Sequence, residues 1–261
     1  MMYALGLLVL AGVYCFWKYP DLRKTWYWLP RRGWVVFMYH HIGTCPIQDE
    51  QFPFTIHPAM FEKQLLFLKQ NHYTPVHEEE VVRALQTGHT HITKPVLLTF
   101  DDGHADNYTN LLPLLKKYQV PVLIFLITQR IGTPGYLTWQ QVQEMQQSGL
   151  VAFGSHTCTH RRLRDLSDEE INREIVQSKK ILEEKLNTTI VSFCYPFGAG
   201  STDPRVRPEV LKAGYLLDFS TKKGINPWPW KGKKSILRAV PLAEETLWDY
   251  HLQLTRGRSK L

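Results

Sequence analysis

Short apolar runs alternate along the chain with segments of helical periodicity. The runs are rich in β-branched and aromatic residues, and their continuous hydrophobicity is typical of strands covered on both faces. They lie at residues 35–39, 95–100, 120–127, 151–155, 189–195, 215–220 and 235–240. Helical spacing occurs at residues 61–68, 78–85, 108–118, 138–147, 167–186, 206–213 and 244–254. The alternation predicts an α/β fold with a mostly parallel sheet or barrel covered by helices.

Several of these helices carry local signals at their ends. Ser167, followed three residues later by Glu170, has the pattern of a capping box, and Thr138 is a good N-cap residue. Gly88 and Gly214 stand just after predicted helices, where glycine ends a helix most easily. These signals fix where the helices are expected to begin and end.

Residues 1–17 form an apolar segment without a charged side chain. At about 1.5 Å per residue, this length is at the short end for a helix that spans a bilayer core. Aromatic and basic residues are interleaved directly after it, as in an interfacial belt. No basic region precedes the run and no small-residue cleavage site follows it, so we predict an uncleaved anchor at residues 1–33. A globular domain is then expected at residues 34–261.

The composition is that of a globular protein, with 44% hydrophobic and 21% charged residues in a chain of 261. The formal charge is +7, and part of the excess lies in basic clusters near both ends, which suits an anionic membrane surface. No helix-turn-helix, zinc-finger or RNA-binding motif is present, which argues against a nucleic-acid partner. The four cysteines form no Cys-x-x-Cys pair and predict no disulfide framework.

Two adjacent carboxylates, Asp101 and Asp102, end the apolar run at residues 95–100. Because side chains alternate along a strand, the two should point in different directions as the chain leaves the sheet. One carboxylate can then bind a metal while the other handles a proton. The alternative is a polar loop in which one of them caps the helix that begins near Asp106.

His156 and His160 stand four residues apart after another predicted strand. On a helical turn these positions share a face, so both imidazoles could reach one ion. Together with a carboxylate from the first strand end they would supply three ligands and leave one position open, the pattern of a catalytic metal. The alternative is a polar pair at the start of a helix.

These motifs resemble those of the polysaccharide deacetylases of the NodB-homology type, over residues 35–242. The matching segments include Thr-Phe-Asp-Asp-Gly at 99–103 and Ser-His-Thr-x-x-His at 155–160. Others, in the same order as in the family, are Tyr-His-x-Ile at 39–42, Leu-Thr-Trp at 137–139, Phe-x-Tyr-Pro-Phe-Gly at 193–198, Gly-Tyr at 214–215, Gly-x-Asn at 224–226 and Leu-Arg at 237–238. The Tyr-His and Tyr-Pro-Phe-Gly segments resemble the branch that deacetylates poly-β-1,6-N-acetylglucosamine in biofilms. The resemblance implies a distorted (β/α) barrel with its site at the carboxyl ends of the strands.

The resemblance also implies roles for individual residues. Asp102, His156 and His160 would hold a divalent metal, with zinc expected, although cobalt, nickel or iron would suit the same donors. Asp101 would be the base that activates water for attack on the acetamide carbonyl. The backbone N–H of Tyr195 would help to hold the oxyanion. The Tyr195-Pro196-Phe197 segment would line the sugar site, the alternative being a strand-end turn packed with aromatic rings.

The sequence departs from the wider family at two positions. Where many members have an arginine that orients the base, this chain has Cys194, and we expect Arg238 to supply the missing charge and to belong to the substrate and oxyanion site. No clear Leu-x-His motif supplies a general acid late in the chain. The resemblance to the biofilm branch points instead to His40, with His41 facing the other way. The alternative for His40 is a buried histidine with its hydrogen bonds satisfied.

Three functions are compatible with these residues. The first is a membrane-anchored, metal-dependent N-deacetylase of an N-acetylhexosamine polymer, with poly-β-1,6-N-acetylglucosamine expected. The second is a deacetylase of a lipid-linked sugar or of peptidoglycan, and the third is a non-catalytic carbohydrate-binding protein. A polymer substrate places the domain on the outer side of the inner or plasma membrane. The basic flank of residues 1–17 would instead keep it in the cytoplasm.

Overall fold

A computed structural model describes residues 33–259 of the chain. The predicted anchor and its basic, aromatic flank at residues 1–32 therefore lie outside the described residues, as do residues 260–261. Between residues 33 and 259, no helix combines the length and the hydrophobicity that crossing a bilayer requires.

The described residues alternate between strands and helices in the predicted order. The strands are β1 Val35–Tyr39, β2 His41–Ile42, β3 Thr55–Ile56, β4 Thr74–Pro75, β5 Pro95–Phe100, β6 Val122–Leu126, β7 Val151–Ser155, β8 Ser192–Cys194 and β9 Leu217–Phe219. The α-helices are α1 Pro58–Gln70, α2 Glu78–Thr87, α3 Leu112–Tyr118, α4 Trp139–Gln147, α5 Asp168–Leu186, α6 Val206–Lys212 and α7 Leu247–Arg256. Residues 107–111 form a π-helical turn before α3, within a segment predicted as one helix.

The main sheet is parallel, with strand order β1-β5-β6-β7-β8-β9 and with β4 beside the start of β5. Tyr39 at the end of β1 pairs with Phe100 at the end of β5, and Leu126 pairs with Ser155 in the same way. The strands therefore finish level with one another, and their carboxyl ends form one rim. The predicted α/β class with a parallel sheet is confirmed.

The prediction of a strand at residues 235–240 is wrong. This segment makes only single bridges, from Ala239 to Phe37 of β1 and from Ile236 to Phe219 of β9. It thereby joins the two edges of the curled sheet without continuing the ladder. The physical reason is that the Asn226 side chain takes both backbone hydrogen bonds of Leu237, each at 2.8 Å, in place of a neighbouring strand. The sheet is a curled, incomplete barrel.

Apolar side chains cover both faces of this sheet, as the continuous hydrophobic runs predict. Along β1, Phe37 and Tyr39 pack with the surrounding helices, whereas Val36 belongs to a second cluster with strands β5, β6, β8 and β9. A fully buried side chain of this size contributes roughly 1.5–3 kcal/mol of transfer free energy. The predicted caps are also present, including the Ser167–Glu170 capping box and a left-handed Gly88 after α2.

The first residue of α2, Glu78, is a buried carboxyl group near the amino end of β8, where it accepts a hydrogen bond from Ser192 Oγ. Burial raises its pKa to about 7. Between the ordinary pKa of a glutamate, about 4.3, and this value, the folded protein binds more protons than the unfolded chain. The free energy of unfolding should therefore fall as the pH rises through this window.

We expect Glu78→Gln to remove this pH dependence, because the neutral amide has no charge to desolvate. Wild type should lose on the order of 1–3 kcal/mol more than the variant between pH 5 and pH 8. The measurement is urea unfolding at both pH values, with Glu184→Gln, an exposed glutamate that does not act on Glu78, as the matched control. The same pH slope in wild type and Glu78→Gln would contradict the assignment.

Candidate active site

The rim formed by the carboxyl ends of the strands carries the predicted site residues. His40, Asp101 and His156 directly follow β1, β5 and β7, and Tyr195 directly follows β8. Because parallel strands point the same way, residues that follow them meet at one end of the sheet. The structure therefore brings these four positions together, as predicted.

The two adjacent carboxylates diverge at this rim, as the alternation of side chains predicts. The backbone N–H of Asp101 still donates to Tyr39 at 2.9 Å and so continues the sheet, whereas Asp102 has a left-handed backbone with a φ of 76°. Gly103 follows with a φ of 78°, and a Cβ there would lie 2.6 Å from the Leu126 side chain. This turn sends Asp101 into the barrel and Asp102 towards the histidines.

Asp102, His156 and His160 form a cluster of three candidate metal ligands. Asp102 Oδ1 lies 3.4 Å from His156 Nε2 and 3.3 Å from His160 Nε2, and the two nitrogens are 3.2 Å apart. Ligands about 2.1 Å from a tetrahedral ion lie roughly 3.4 Å from one another. The three atoms therefore have the spacing of three corners of a coordination tetrahedron.

The chemistry of these donors also fits a divalent cation. Asp102 Oδ1 is buried and has no hydrogen-bond partner among the described residues, a deficit that a bound cation would satisfy. His156 Nδ1 lies 2.8 Å from the Cys194 carbonyl oxygen, to which it can donate, leaving Nε2 as the free donor for a metal. Burial, and then the neighbouring His156, lower the pKa of His160 to about 4, so its imidazole is neutral at physiological pH.

The loop that carries the two histidines is not the helical turn that their spacing suggested. Thr157 and His160 both have left-handed backbones, with φ values of 69° and 63°. Glu174 on α5 holds this loop from below: its carboxylate accepts the backbone N–H groups of Cys158 and Thr159 at 2.8 and 2.9 Å. It also accepts the Thr159 hydroxyl at 2.5 Å. The histidines thus converge because a buried carboxylate fixes the loop.

A buried ion pair fixes the second carboxylate. Arg238 donates from Nη1 to Asp101 Oδ1 at 2.7 Å and from Nη2 to Asp101 Oδ2 at 2.8 Å. Burial raises the pKa of Asp101, but the Arg238 guanidinium and then His156 lower it by more, so the net pKa lies below the ordinary value. Arg238 supplies the charge at Asp101 as predicted. Its own side chain is fully buried, so the prediction that it belongs to the substrate surface is wrong.

The remaining donors of Arg238 are also used. Nε donates to the Ser220 carbonyl at 2.9 Å, and Nη1 also donates to Thr99 Oγ1 at 3.1 Å. Nη2 lies 3.1 Å from Cys194 Sγ. The small thiol at Cys194 leaves the space that the guanidinium fills, which explains how this chain replaces the family's usual arginine.

A further histidine, His104, supports Asp102 and was not singled out in the sequence. His104 Nε2 lies 3.2 Å from Asp102 Oδ2, and its ring stacks on His41 at 3.7 Å. His41 Nδ1 in turn contacts Asp106 Oδ2 at 2.7 Å. His41 therefore contacts His104 and Asp106, and the prediction that it faces the other way from His40 stays a prediction.

His40, the predicted general acid, is partly buried at the same rim. Its Nδ1 is buried without a hydrogen-bond partner among residues 33–259, so it is not the satisfied core histidine of the alternative interpretation. Its ring packs against Phe54 at 5.1 Å. Burial lowers the pKa of His40, and the charges of Asp101 and Asp102 oppose that effect.

The Tyr195-Pro196-Phe197 segment only partly fits a sugar site. Tyr195 and Pro196 are buried, and the Tyr195 hydroxyl donates to Asp218 at 3.0 Å, so the prediction that these two side chains line the sugar site is wrong. The Tyr195 N–H donates to the Phe219 carbonyl at 3.2 Å, and its oxyanion role stays a prediction.

Phe197 is the member of this segment that faces solvent. It is 55% exposed, with its ring 4.7 Å from that of His160. The Arg162 guanidinium lies 4.8 Å from the centre of the same ring. An exposed aromatic face next to a candidate metal ligand is suited to hold a sugar ring.

The fold and site together define an α/β protein with an Asp-His-His cluster at the carboxyl rim of a curled parallel sheet. The family model for polysaccharide deacetylases matches residues 88–217. YxkH of Bacillus subtilis, whose name assigns it to the polysaccharide deacetylases, is 36% identical over 63% of this chain and 58% of its own length. The poly-β-1,6-N-acetyl-D-glucosamine N-deacetylase of Staphylococcus aureus is 26% identical over 67% of this chain and 64% of its own length.

Among solved structures, the Streptococcus pyogenes deacetylase PplD in complex with acetate superposes with a TM-score of 0.74 at 29% identity. The match covers 82% of this chain and 94% of that one. The chain belongs to the polysaccharide deacetylase family, which confirms the family predicted from the sequence. It spans less than two thirds of the length of the two curated relatives.

We expect Glu174→Gln to weaken metal binding by about 10–100-fold, because the amide lacks the negative charge that strengthens both backbone contacts and has only one acceptor oxygen in place of two. Glu184→Gln, on the exposed face of the same helix, is the matched control and should bind as wild type does. The measurement is a zinc titration in competition with a chromophoric chelator, alongside thermal unfolding.

If Glu174→Gln does not fold, Thr159→Val removes only the hydroxyl contact and tests the same support. Wild-type zinc affinity in a folded variant at either position would show that the loop does not depend on this carboxylate.

Proposed function

We propose that this protein is a metal-dependent deacetylase that hydrolyses the N-acetyl groups of an N-acetylhexosamine polysaccharide. The observation that carries the proposal is the cluster of Asp102, His156 and His160 beside the arginine-paired Asp101. Hydrolysis of an acetamide requires an activated water, a base and an acid, and this rim supplies a candidate for each. Membership of the polysaccharide deacetylase family supports the same chemistry.

The three ligand atoms would hold a divalent cation, for which zinc is the proposed identity because imidazole and carboxylate donors suit it. When bound, such an ion lowers the pKa of a water molecule and polarises the carbonyl of the substrate. The proton transfers of the reaction are carried out by side chains of this protein.

Asp101 is the proposed base. Its two oxygens are held by Arg238, which fixes the direction of the remaining lone pairs and keeps the carboxylate ionised at neutral pH. Asp101 takes the proton from the attacking water as the new carbon–oxygen bond forms. The buried arginine stays charged throughout and compensates the carboxylate before the reaction. Asp101 then loses the proton to solvent and His40 takes one up, which restores both groups for the next turnover.

His40 is the proposed acid. Its unpartnered Nδ1 lies at the rim beside the carboxylate pair, and nothing among the described residues competes for that nitrogen. The protonated imidazole would give its proton to the amine nitrogen as the carbon–nitrogen bond breaks, so that acetate and a free amine leave.

The proposed polymer is poly-β-1,6-N-acetylglucosamine. The name of the Staphylococcus aureus relative gives that polymer as its substrate, and the Streptococcus pyogenes deacetylase was solved with acetate, the small product of the reaction. The exposed Phe197 ring beside His160 supports a sugar-binding position next to the ligands.

The test is release of free amine from β-1,6-linked N-acetylglucosamine oligomers by the purified full chain in detergent. We expect activity that a chelator removes and zinc restores. Asp101→Asn should lower kcat by about 10²–10⁴-fold with zinc still bound, because only the base is lost. His40→Gln should lower kcat within the same range, whereas Glu184→Gln, an exposed carboxylate near the C-terminal end of α5, is the control.

The outcomes separate the alternatives. Full activity of Asp101→Asn would contradict the proposed base, and full activity of His40→Gln would contradict the proposed acid. Amine release from peptidoglycan or a lipid-linked sugar alone would keep the mechanism but replace the proposed polymer. If the protein neither binds zinc nor releases amine, the result would favour the non-catalytic carbohydrate-binding function.

A further inference from the structure

The loop that leads into the irregular edge segment is strongly basic. Between Asp218 and Glu244 the sequence contains no carboxylate, and Lys231, Lys233 and Lys234 follow one another closely. All three side chains are exposed. Within residues 33–259 none of them forms an ion pair. We call residues 227–234 the lysine loop.

The lysine loop lies at the amino ends of the strands. Residue 34, which directly precedes β1, exchanges two backbone hydrogen bonds with Asn226, at 2.9 and 3.0 Å. The rings of Trp34 and Trp228 lie 5.1 Å apart. Tyr39, at the other end of β1, lies beside Asp101 at the active-site rim. Five residues of strand extend roughly 16 Å, so the lysine loop and the active site face opposite ends of the sheet.

The lysine loop packs against the rest of the domain through its two tryptophans. Trp230 is buried in the second apolar cluster with Val81, and Trp228 Nε1 donates to the Ile92 carbonyl at 2.9 Å. With the tryptophans turned inwards, the lysines are held outwards around an apolar recess of about 220 Å³. Apolar side chains line this recess and the three lysines form its rim, an arrangement that matches a phosphate headgroup above an acyl chain.

We propose that the lysine loop docks on a bilayer surface that contains anionic lipid. The cationic rim complements anionic headgroups, which attract clustered lysines near the membrane. The chain outside the described residues also supports a lipid partner. It enters the domain at Gly33, beside this loop, and its first 17 residues carry no charged side chain. Docking in this way turns the active-site rim away from the membrane. The proposal does not depend on the enzymatic activity.

The test is lysine acetylation of the full chain reconstituted in vesicles, read residue by residue by mass spectrometry. One set of vesicles is phosphatidylcholine alone, and the other contains 30% phosphatidylglycerol, roughly the anionic content that attracts basic segments. We expect Lys231, Lys233 and Lys234 to react about fivefold more slowly in the anionic vesicles, with the difference lost in high salt. Exposed lysines on α1 and α3, Lys63 and Lys116, are internal controls and should not change.

Equal protection of the control lysines, or no protection of the lysine loop by anionic lipid, would overturn the proposal. Protection that is the same in neutral vesicles and rises with the protein-to-lipid ratio would assign the surface to a second copy of the chain instead. A variant with Lys231, Lys233 and Lys234 all changed to Gln should leave the controls unaffected. Its residual lysines, Lys222 and Lys223, should show no protection of their own.

Discussion

The buried ion pair between Asp101 and Arg238 is the interaction on which the geometry of the site depends. The two residues come from different parts of the barrel: Asp101 follows β5, inside the sheet, and Arg238 lies on the irregular segment that joins the edge strands β1 and β9. Two charges removed from water are stable only when their hydrogen bonds are complete, and removing one partner from such a pair typically costs about 3–5 kcal/mol. Here the guanidinium donates to Asp101 twice and to three further acceptors.

Several other features follow from this pair. The edge segment directs the charged side chain of Arg238 into the barrel, and the backbone groups of Leu237 bond to the Asn226 side chain where a regular strand would pair with a neighbour. The residue at 194 must be small, so that the guanidinium fits beside it. With Asp101 committed to arginine, Asp102 is the carboxylate left to join the histidines, and its unpartnered Oδ1 faces them. The different contacts of the two side chains therefore determine their proposed roles, with Asp101 as the base and Asp102 as a metal ligand.

Much of this arrangement could be predicted from the sequence, and the exceptions have physical reasons. The strands β1, β5 and β7 are continuous apolar runs, so the residues that follow them could be placed at one rim. Arg238 was expected to pair with Asp101 because Cys194 stands where many family members have the arginine that orients the base. Glu174 was missed, although it interrupts the apolar face of α5 between Ile171 and Ile175, a position where a carboxylate needs a partner.

The remaining errors concern backbone conformation and long-range contacts. The left-handed backbones of Thr157, His160 and Phe197 have no local signature, because residues other than glycine adopt them only when the surrounding structure requires it. A strand-end tyrosine can face either the core or solvent, and the buried Asp218 decided the direction for Tyr195. The contact between His104 and Asp102 depends on a turn that the sequence does not encode by itself.

The central claim is that Asp102, His156 and His160 bind one catalytic metal while Asp101 stays free of it. The most direct measurement is anomalous diffraction at the zinc edge from crystals of the zinc-loaded chain. The account predicts one ion per chain, bound by Asp102 Oδ1 and the two Nε2 atoms, with the Asp101–Arg238 pair intact. An ion bound instead between Asp101, His156 and Cys194, or no ion at this rim, would contradict it.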